Sequence, residues 1–302
     1  MLSYDESIMI NKEEHLPKED NRVRAVRTEE ITANIKEMCI EANHYLSKDM
    51  ACVFENAVQE EQSPLGKQVL EQLKENLEIA GEDMIPICQD TGMAVIFIKI
   101  GQEVHIEGGS LAEAIHEGVR QGYEEGYLRK SVVRDPIDRV NTNDNTPAVI
   151  HYEIVEGDQV EITVAPKGFG SENMSRVFML KPSDGLEGVK EAILTAVRDA
   201  GPNACPPMVV GVGIGGTFEK CACMAKHALT RDLSEKPTVS YIRKLEEEML
   251  QKINNLGIGP GGLGGTVTAL AVNIETYPTH IAGLPVAVNI CCHVNRHIHR
   301  II

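Results

Sequence analysis

Cys88-Gln89-Asp90-Thr91 sets a thiol, an amide, a carboxylate and a hydroxyl side by side, within the segment Pro86 to Gly92. Thiolates suit iron–sulfur clusters, zinc or copper, and a neighbouring carboxylate can handle substrate or protons. A lone Cys in a turn is otherwise a small buried hydrophobe. Two more segments weigh against that reading. Gly201-Pro202-Asn203-Ala204-Cys205-Pro206-Pro207 holds a thiol in a turn stiffened by prolines, which fix φ and donate no backbone hydrogen bond. Asn289-Ile290-Cys291-Cys292-His293 ends an apolar run with two more. Cys88, Cys205 and Cys292 lie 117 and 87 residues apart, matching neither the short ferredoxin runs nor the CxxC pairs of zinc sites. Any metal centre built from them must be assembled by the fold.

The elements that would do so can be read from hydrophobic period. Residues 1–27 are charged and aperiodic, a polar N-terminal arm. From Thr28, the apolar residues Ile31, Ile35, Met38, Ala42 and Leu46 form a helix stripe. Ser63-Pro64 caps a second helix carrying Leu70, Leu73, Leu77 and Ala80, which Gly81 should stop. Met93 to Ile100 and Val104-His105-Ile106 read as strands, and Ser110 with Glu113 as a capping box for a helix over Leu111 to Tyr123. Ile150, Tyr152 and Ile154, then Val160, Ile162 and Val164, alternate around Glu156-Gly157-Asp158 as a hairpin would. A helix over Leu186 to Val197, a buried strand at Met208 to Val212, a charged helix over about 239–253 and strands at 267–274 and 284–290 follow. The expected class is α/β (α+β): an N-terminal helical layer, then a mixed strand and helix region, with 28–302 as one domain.

Two glycine runs invite a nucleotide reading and fail it. Gly257 to Gly265 lacks the Lys-Ser/Thr ending of a P-loop, and Gly211 to Gly216 has no suitably placed acidic residue downstream. Close backbone approach to substrate, cluster or a neighbouring chain is the expectation for both. Cys39, Cys52, Cys221 and Cys223 fall on helix-like segments and read as core or helix burial.

The 29 Lys+Arg against 45 Asp+Glu, a net charge of −16, disfavour nucleic acid and anionic membrane as partners. No secretory h-region and no window of about 20 apolar residues is seen, so the eight Cys are expected as thiols or metal ligands in a reducing cytoplasm.

Ile87-Cys88-Gln89-Asp90-Thr91-Gly92, Asn141-Thr142-Asn143-Asp144-Asn145-Thr146-Pro147, Pro166-Lys167-Gly168-Phe169-Gly170-Ser171-Glu172-Asn173, the Cys205 turn and Gly213-Ile214-Gly215-Gly216-Thr217 occur in one order. That order resembles the N-terminal part of the iron–sulfur class I fumarate hydratases and their relatives, the L-tartrate dehydratases. The resemblance implies a 4Fe-4S cluster on Cys88, Cys205 and Cys292, with one iron left open as a Lewis acid for a 2-hydroxyacid. Cys291 is adjacent, and neighbouring strand residues point to opposite faces, so one of the pair should reach the cluster; the family position favours Cys292. The resemblance further implies that Gln89 and Asp90 contact the substrate, that Arg129 grips a carboxylate, that Gly170 brings backbone close to it, and that His280 serves the active site. Read alone, these residues are a turn, a solvated helix end and a structural histidine. Asn143 replaces a family Gly; Asn tolerates left-handed backbone, but the pocket, and with it the choice of fumarate/malate or tartrate, stays open.

Family members that are single chains carry their threonine base, arginines and lysine in a further C-terminal domain. This chain ends at Ile302, so the resemblance implies a smaller beta subunit docked over the cluster; the frequency of symmetric association makes α2β2 the natural coupling of two such pairs. The leading expectation is the alpha subunit of a fumarate hydratase, with the alpha subunit of an L-tartrate dehydratase as the alternative. A non-catalytic iron–sulfur or zinc-binding structural or sensor protein is the alternative of another class.

Overall fold

The computed structural model describes residues 23–302. Most of the expected arm therefore lies outside the described residues, but its end does not. Strand β1 (Arg24–Arg27) pairs in parallel with β3 (Val104–Glu107), following α1 and β2 in sequence, so the ordered chain begins before Thr28. Helices α1 (Thr28–His44), α2 (Lys48–Glu60) and α3 (Pro64–Asp83) come next. Ser63 Oγ accepts from the Gly66 N–H, and Pro64 opens α3. Gly81 does not end that helix; it runs on to Asp83 and stops at Met84, whose φ of 53° is left-handed.

The remaining elements are β2 (Met93–Gly101), α4 (Leu111–Glu125), β4 (Val149–Val155), β5 (Val160–Lys167), the single turn α5 (Phe169–Glu172), β6 (Arg176–Leu180), α6 (Gly185–Ala200), β7 (Met208–Gly215), α7 (Phe218–His227), α8 (Ser240–Asn254), β8 (Ala269–Tyr277), β9 (Leu284–Cys291) and β10 (Ile298–Ile301). Among the described residues no helix is long and apolar enough to cross a membrane.

Two four-stranded sheets organise the molecule, in the orders β10-β5-β2-β4 and β6-β9-β7-β8. The expected β4–β5 hairpin is not formed. β2 lies between them, parallel to β4 and antiparallel to β5, with Ile96 opposite Ile150 on one side and Val164 on the other. Period two tells which face a strand buries, not which strand lies beside it; here the apolar Ala94-Val95-Ile96 segment takes the centre.

Helices α1 and α4 cover the first sheet. Ile31, Ile35 and Met38 meet Ile115, Val119 and Tyr123 over Ile96, Ile98 and Ile162. The second sheet is covered on both faces, by α6 and α8 through Ile193, Val197, Leu245 and Met249, and by α7 through Cys221, Met224 and Ala225. The glycines of β7 explain the closeness of α7: a Cβ on Gly211 or Gly213 would stand 2.1 Å from the carbonyl oxygens of Ala225 and Cys221. A third core joins α2 and α3 to the second sheet through Met50, Phe54, Leu70, Val209 and Cys291. Cys39 is core, whereas Cys52 is exposed, contrary to expectation.

Candidate cysteine-lined active site

The Cys88 loop leaves the left-handed cap of α3 and is pinned at once: Ile87 N–H donates to the Asn43 carbonyl at 2.9 Å, and Asn76 Nδ2 to the Ile87 carbonyl at 3.0 Å. Cys88 is half-buried; its thiol donates to Gln89 Oε1 and accepts from the Asp90 N–H, each at 3.4 Å. Cys205 follows a 3₁₀ turn over Gly201–Ala204 and takes φ 50° itself, which turns its exposed thiol out of the chain path. Its carbonyl accepts from His293 twice, from Nδ1 at 3.0 Å and from the backbone N–H at 3.4 Å. This ties the second cysteine turn to the segment after the third.

Cys292 and Cys88 pack against one small apolar cluster of Ala80, Ile87 and Val294. Cys291 packs into the core of Met50, Phe54 and Leu70, with its thiol close enough to that of Cys292 to share a hydrogen bond. Burial pushes the Cys205 thiol up, and the nearby Cys292 and Cys88 thiols push it further, so the three share one electrostatic neighbourhood. Among the described residues no group of three His, Cys, Asp or Glu side chains is gathered tightly enough to hold a single metal ion.

Asp90 works first as a brace. Oδ1 accepts from the Gly92 N–H at 3.0 Å and Oδ2 from the Phe169 N–H at 2.9 Å, joining the Cys88 loop to the segment after β5. Gly168, Phe169 and Gly170 thus lie at the mouth, and Gly170 is exposed with open space where a Cβ would be. Gln89 is exposed beside Cys88.

Arg129 reaches the same loop through its backbone: its carbonyl accepts from Thr91 Oγ1 at 3.1 Å, and its exposed guanidinium forms no ion pair with the described residues. The Asn141–Pro147 segment is the scaffold here. Buried Asn145 takes the Ser131 and Val132 N–H groups at 2.7 and 3.2 Å and donates to the Gly92 carbonyl at 3.2 Å. Tyr123 Oη donates to the Thr91 and Gly92 carbonyls at 2.9 and 3.0 Å. Burial opposes ionisation of Asp144, but Thr146 and Arg120 donate to it and hold its carboxyl down to about 2. Asn143 adopts φ 68°, the left-handed conformation its replacement of Gly requires.

His280 is elsewhere. It is exposed in the β8–β9 turn, where its Nδ1 accepts from the Ala282 N–H at 3.2 Å. The cysteines are at the other end of β9, roughly 25 Å away over eight residues at the usual strand rise. Hydrogen bonds thus link the segments that carry Cys88, Gln89, Asp90, Arg129 and Gly170, the thiols of Cys88, Cys205 and Cys292 share one electrostatic neighbourhood, and His280 lies at the far end of β9.

Sequence reasoning assigned no role to Lys167, Glu172 or Arg296, all packed beneath this mouth. The available signal was a lysine closing the alternating strand Val160–Lys167. The glycine-rich loop, expected to bring backbone close to substrate, cluster or a neighbouring chain, lies against the Cys205 turn. Gly261 N–H donates to the Pro206 carbonyl at 2.8 Å, and a Cβ on Gly262 would stand 2.3 Å from Pro202 Cβ, so the loop backs the Cys205 turn.

Comparison with known proteins agrees with this architecture. The sequence profile of the fumarate hydratase (Fumerase) family matches residues 32–301. The putative L(+)-tartrate dehydratase subunit alpha of Methanocaldococcus jannaschii is 43% identical over 268 residues, covering 87% of this chain and 94% of that protein. The L(+)-tartrate dehydratase subunit alpha of Escherichia coli K12 is 31% identical over 283 residues, covering 92% of each. With a profile match over nearly its whole length and relatives aligned end to end, this chain belongs to the fumarate hydratase (Fumerase) family.

Proposed function

We propose that this chain is the cytoplasmic alpha subunit of an iron–sulfur hydro-lyase that adds water to, or removes it from, a four-carbon dicarboxylate. The observation that carries the reading is the convergence of Cys88, Cys205 and Cys292, three thiols distant in sequence, in a member of this family. Thiolates are the usual ligands of iron–sulfur clusters, and three of them in mutual electrostatic reach suit a cluster with one iron left without a protein ligand. When bound through three thiolates, such a cluster offers an open iron as Lewis acid toward the hydroxyl and carboxylate of a 2-hydroxyacid.

The chain's own groups would do the rest on this side of the site. Arg129, exposed and without an ion pair among the described residues, presents a fork for a carboxylate. Gln89 offers an amide beside the first ligand, and Gly170 leaves room for substrate against backbone. Asp90 holds two loops together and keeps its remaining lone pairs for a substrate hydroxyl. A catalytic role for His280 requires a second copy of the chain, because it is too far along the sheet to serve its own cysteines. The remaining base and carboxylate-binding groups would come from a beta subunit, a reading supported by the relatives' designation as subunit alpha.

Anaerobic purification decides the cofactor: about four irons per chain are expected, and stoichiometric zinc would sink the proposal. The isolated chain should load iron yet turn over nothing until the partner is added. The substrate follows from assaying the complex on L-malate and L-tartrate. The family description favours fumarate and malate, the relatives' names favour tartrate, and activity on neither would refute the hydro-lyase assignment.

A further inference from the structure

Lys167 closes β5 and is 6% exposed. Its backbone lies directly under Gly92, where a Cβ would stand 2.7 Å from the Lys167 carbonyl carbon. Its ammonium donates to the Ile290 carbonyl and to Ser171 Oγ, both at 2.9 Å. Gly92 follows Cys88 by four positions and Ile290 precedes Cys292 by two, so one residue touches both ligand-bearing segments. The same stretch of chain is clamped on β9 again by Ser175, whose Oγ accepts from Ile290 N–H and Asn289 Nδ2, each at 3.1 Å.

The charges beneath the mouth do not balance. Lys167, Lys226 and Arg296 line one cavity of about 10 Å³ together with Cys291. Glu172 is the carboxylate that pairs with both lysines, at 3.4 Å from Lys167 Nζ and in direct contact with Lys226. Arg296, 4% exposed, donates to the Asp90 and Pro166 carbonyls, and its Nη1 is buried without a partner. Two buried cations and the half-buried Lys226 face one carboxylate around the Cys291–Cys292 pair, and they are costly unless further negative charge on that side completes them. A cubane carrying three thiolates supplies such charge.

We propose that Lys167 is a positioning residue of the cysteine site, fixing the spacing of the Cys88 loop and the Cys292 strand and, with Arg296, supplying counter-charge to an anionic iron–sulfur centre. The inference rests on the cluster reading above. Residues behind a metal's ligands commonly carry about 10–100-fold in affinity. Lys167→Met in the full chain, reconstituted anaerobically with iron and sulfide, should release iron to a chelator faster by about that factor, and Lys167→Arg should restore retention. The charge role has its own signature in a redox titration followed by electron paramagnetic resonance. Lys167→Met should lower the midpoint potential, because losing a cation favours the oxidised, less negative state, whereas Glu172→Gln should raise it. Wild-type iron retention and potential in Lys167→Met would overturn the proposal. If that variant fails to fold, Glu172→Gln alone decides, since an unchanged or lowered potential contradicts the surplus-charge argument. Cys88→Ser with full iron content would instead defeat the cluster reading itself.

Discussion

Glu61 supports the cysteine site from a distance, and its replacement tests that support quantitatively. The side chain, 1% exposed, follows α2 and accepts from the Ser63 N–H at 2.8 Å, the Thr266 N–H at 2.9 Å, the Val267 N–H at 2.8 Å and Thr266 Oγ1 at 3.2 Å. Gly66 and Gly265 crowd it so closely that a Cβ on either would come within 2.8 Å. Burial opposes its ionisation, but these donors hold its carboxyl below the usual range. Glu61→Gln keeps the shape, removes the charge and turns an NH₂ toward backbone N–H donors. One charge-assisted bond is lost, about 1.5–3 kcal/mol, and a buried donor is left facing a donor, about 1–3 kcal/mol more. The sum, about 2.5–6 kcal/mol, is a large share of a stability of about 5–15 kcal/mol. At about 2–4 °C per kcal/mol the melting temperature of the metal-free chain should fall by about 5–24 °C by circular dichroism. Because the glycine-rich loop backing Cys205 ends at this anchor, the variant should also lose bound iron faster. The sign with pH follows from the lowered carboxyl: its contribution is present above the ordinary carboxylate range and fades as pH falls through it, so wild type and variant should converge in acid. A variant within about 0.5 kcal/mol of wild type in denaturant titration at neutral pH would refute the argument.

Three other outcomes are expected. Serine at Cys88, Cys205 or Cys292 should abolish iron binding and its charge-transfer absorption, while Cys291→Ser keeps both; the reverse pattern for Cys291 and Cys292 would reassign the third ligand. Asp144, held near 2 in the folded chain against about 3.9 unfolded, should contribute up to about 2.5 kcal/mol that is present above pH 4 and lost toward pH 2; an Asp144→Asn variant with the same acid-unfolding midpoint as wild type would contradict this. If His280 acts across copies, mixing inactive His280→Asn and Cys205→Ser chains, each with partner subunit, should recover part of the activity, and none recovered would remove His280 from the chemistry.

Much of the secondary structure was legible because period and caps are local. The Ser63-Pro64 start, the α6 stripe and the buried β7 run are each set by neighbours within a few residues. Partner choice was not. Gly157, at φ 99° and next to Asp158, looks like a hairpin turn, yet the strands it joins are separated by β2. Gly81 resembled a helix stop, but left-handed Met84 is where the chain turns. The site was visible only as ordered motifs, since nothing local says that thiols 117 and 87 residues apart will meet. Lys167, Glu172 and Arg296 escaped notice for a related reason: a buried charge is legible only once the strand end beneath which it lies is known. His280 shows the converse, a motif position that this chain alone does not carry to the other site residues.

The cysteines belong to layers with separate cores. Cys88 hangs from the α2–α3 layer, Cys205 and Cys292 from the second sheet, and the segment bracing Asp90 from the first. The two sheets can each collapse on their own apolar residues, whereas α2 and α3 bury theirs against the second sheet, so the mouth exists only after all three have docked. Its closing contacts span long stretches of chain and so form late. If the proposed cluster is carried here, its loading is gated by folding: a scaffold protein offering a preformed cluster would find at most two of the three thiols properly set in a partly folded chain. Cluster occupancy in the cell would then count completed molecules, and a core substitution far from any cysteine would register first as an iron-poor protein.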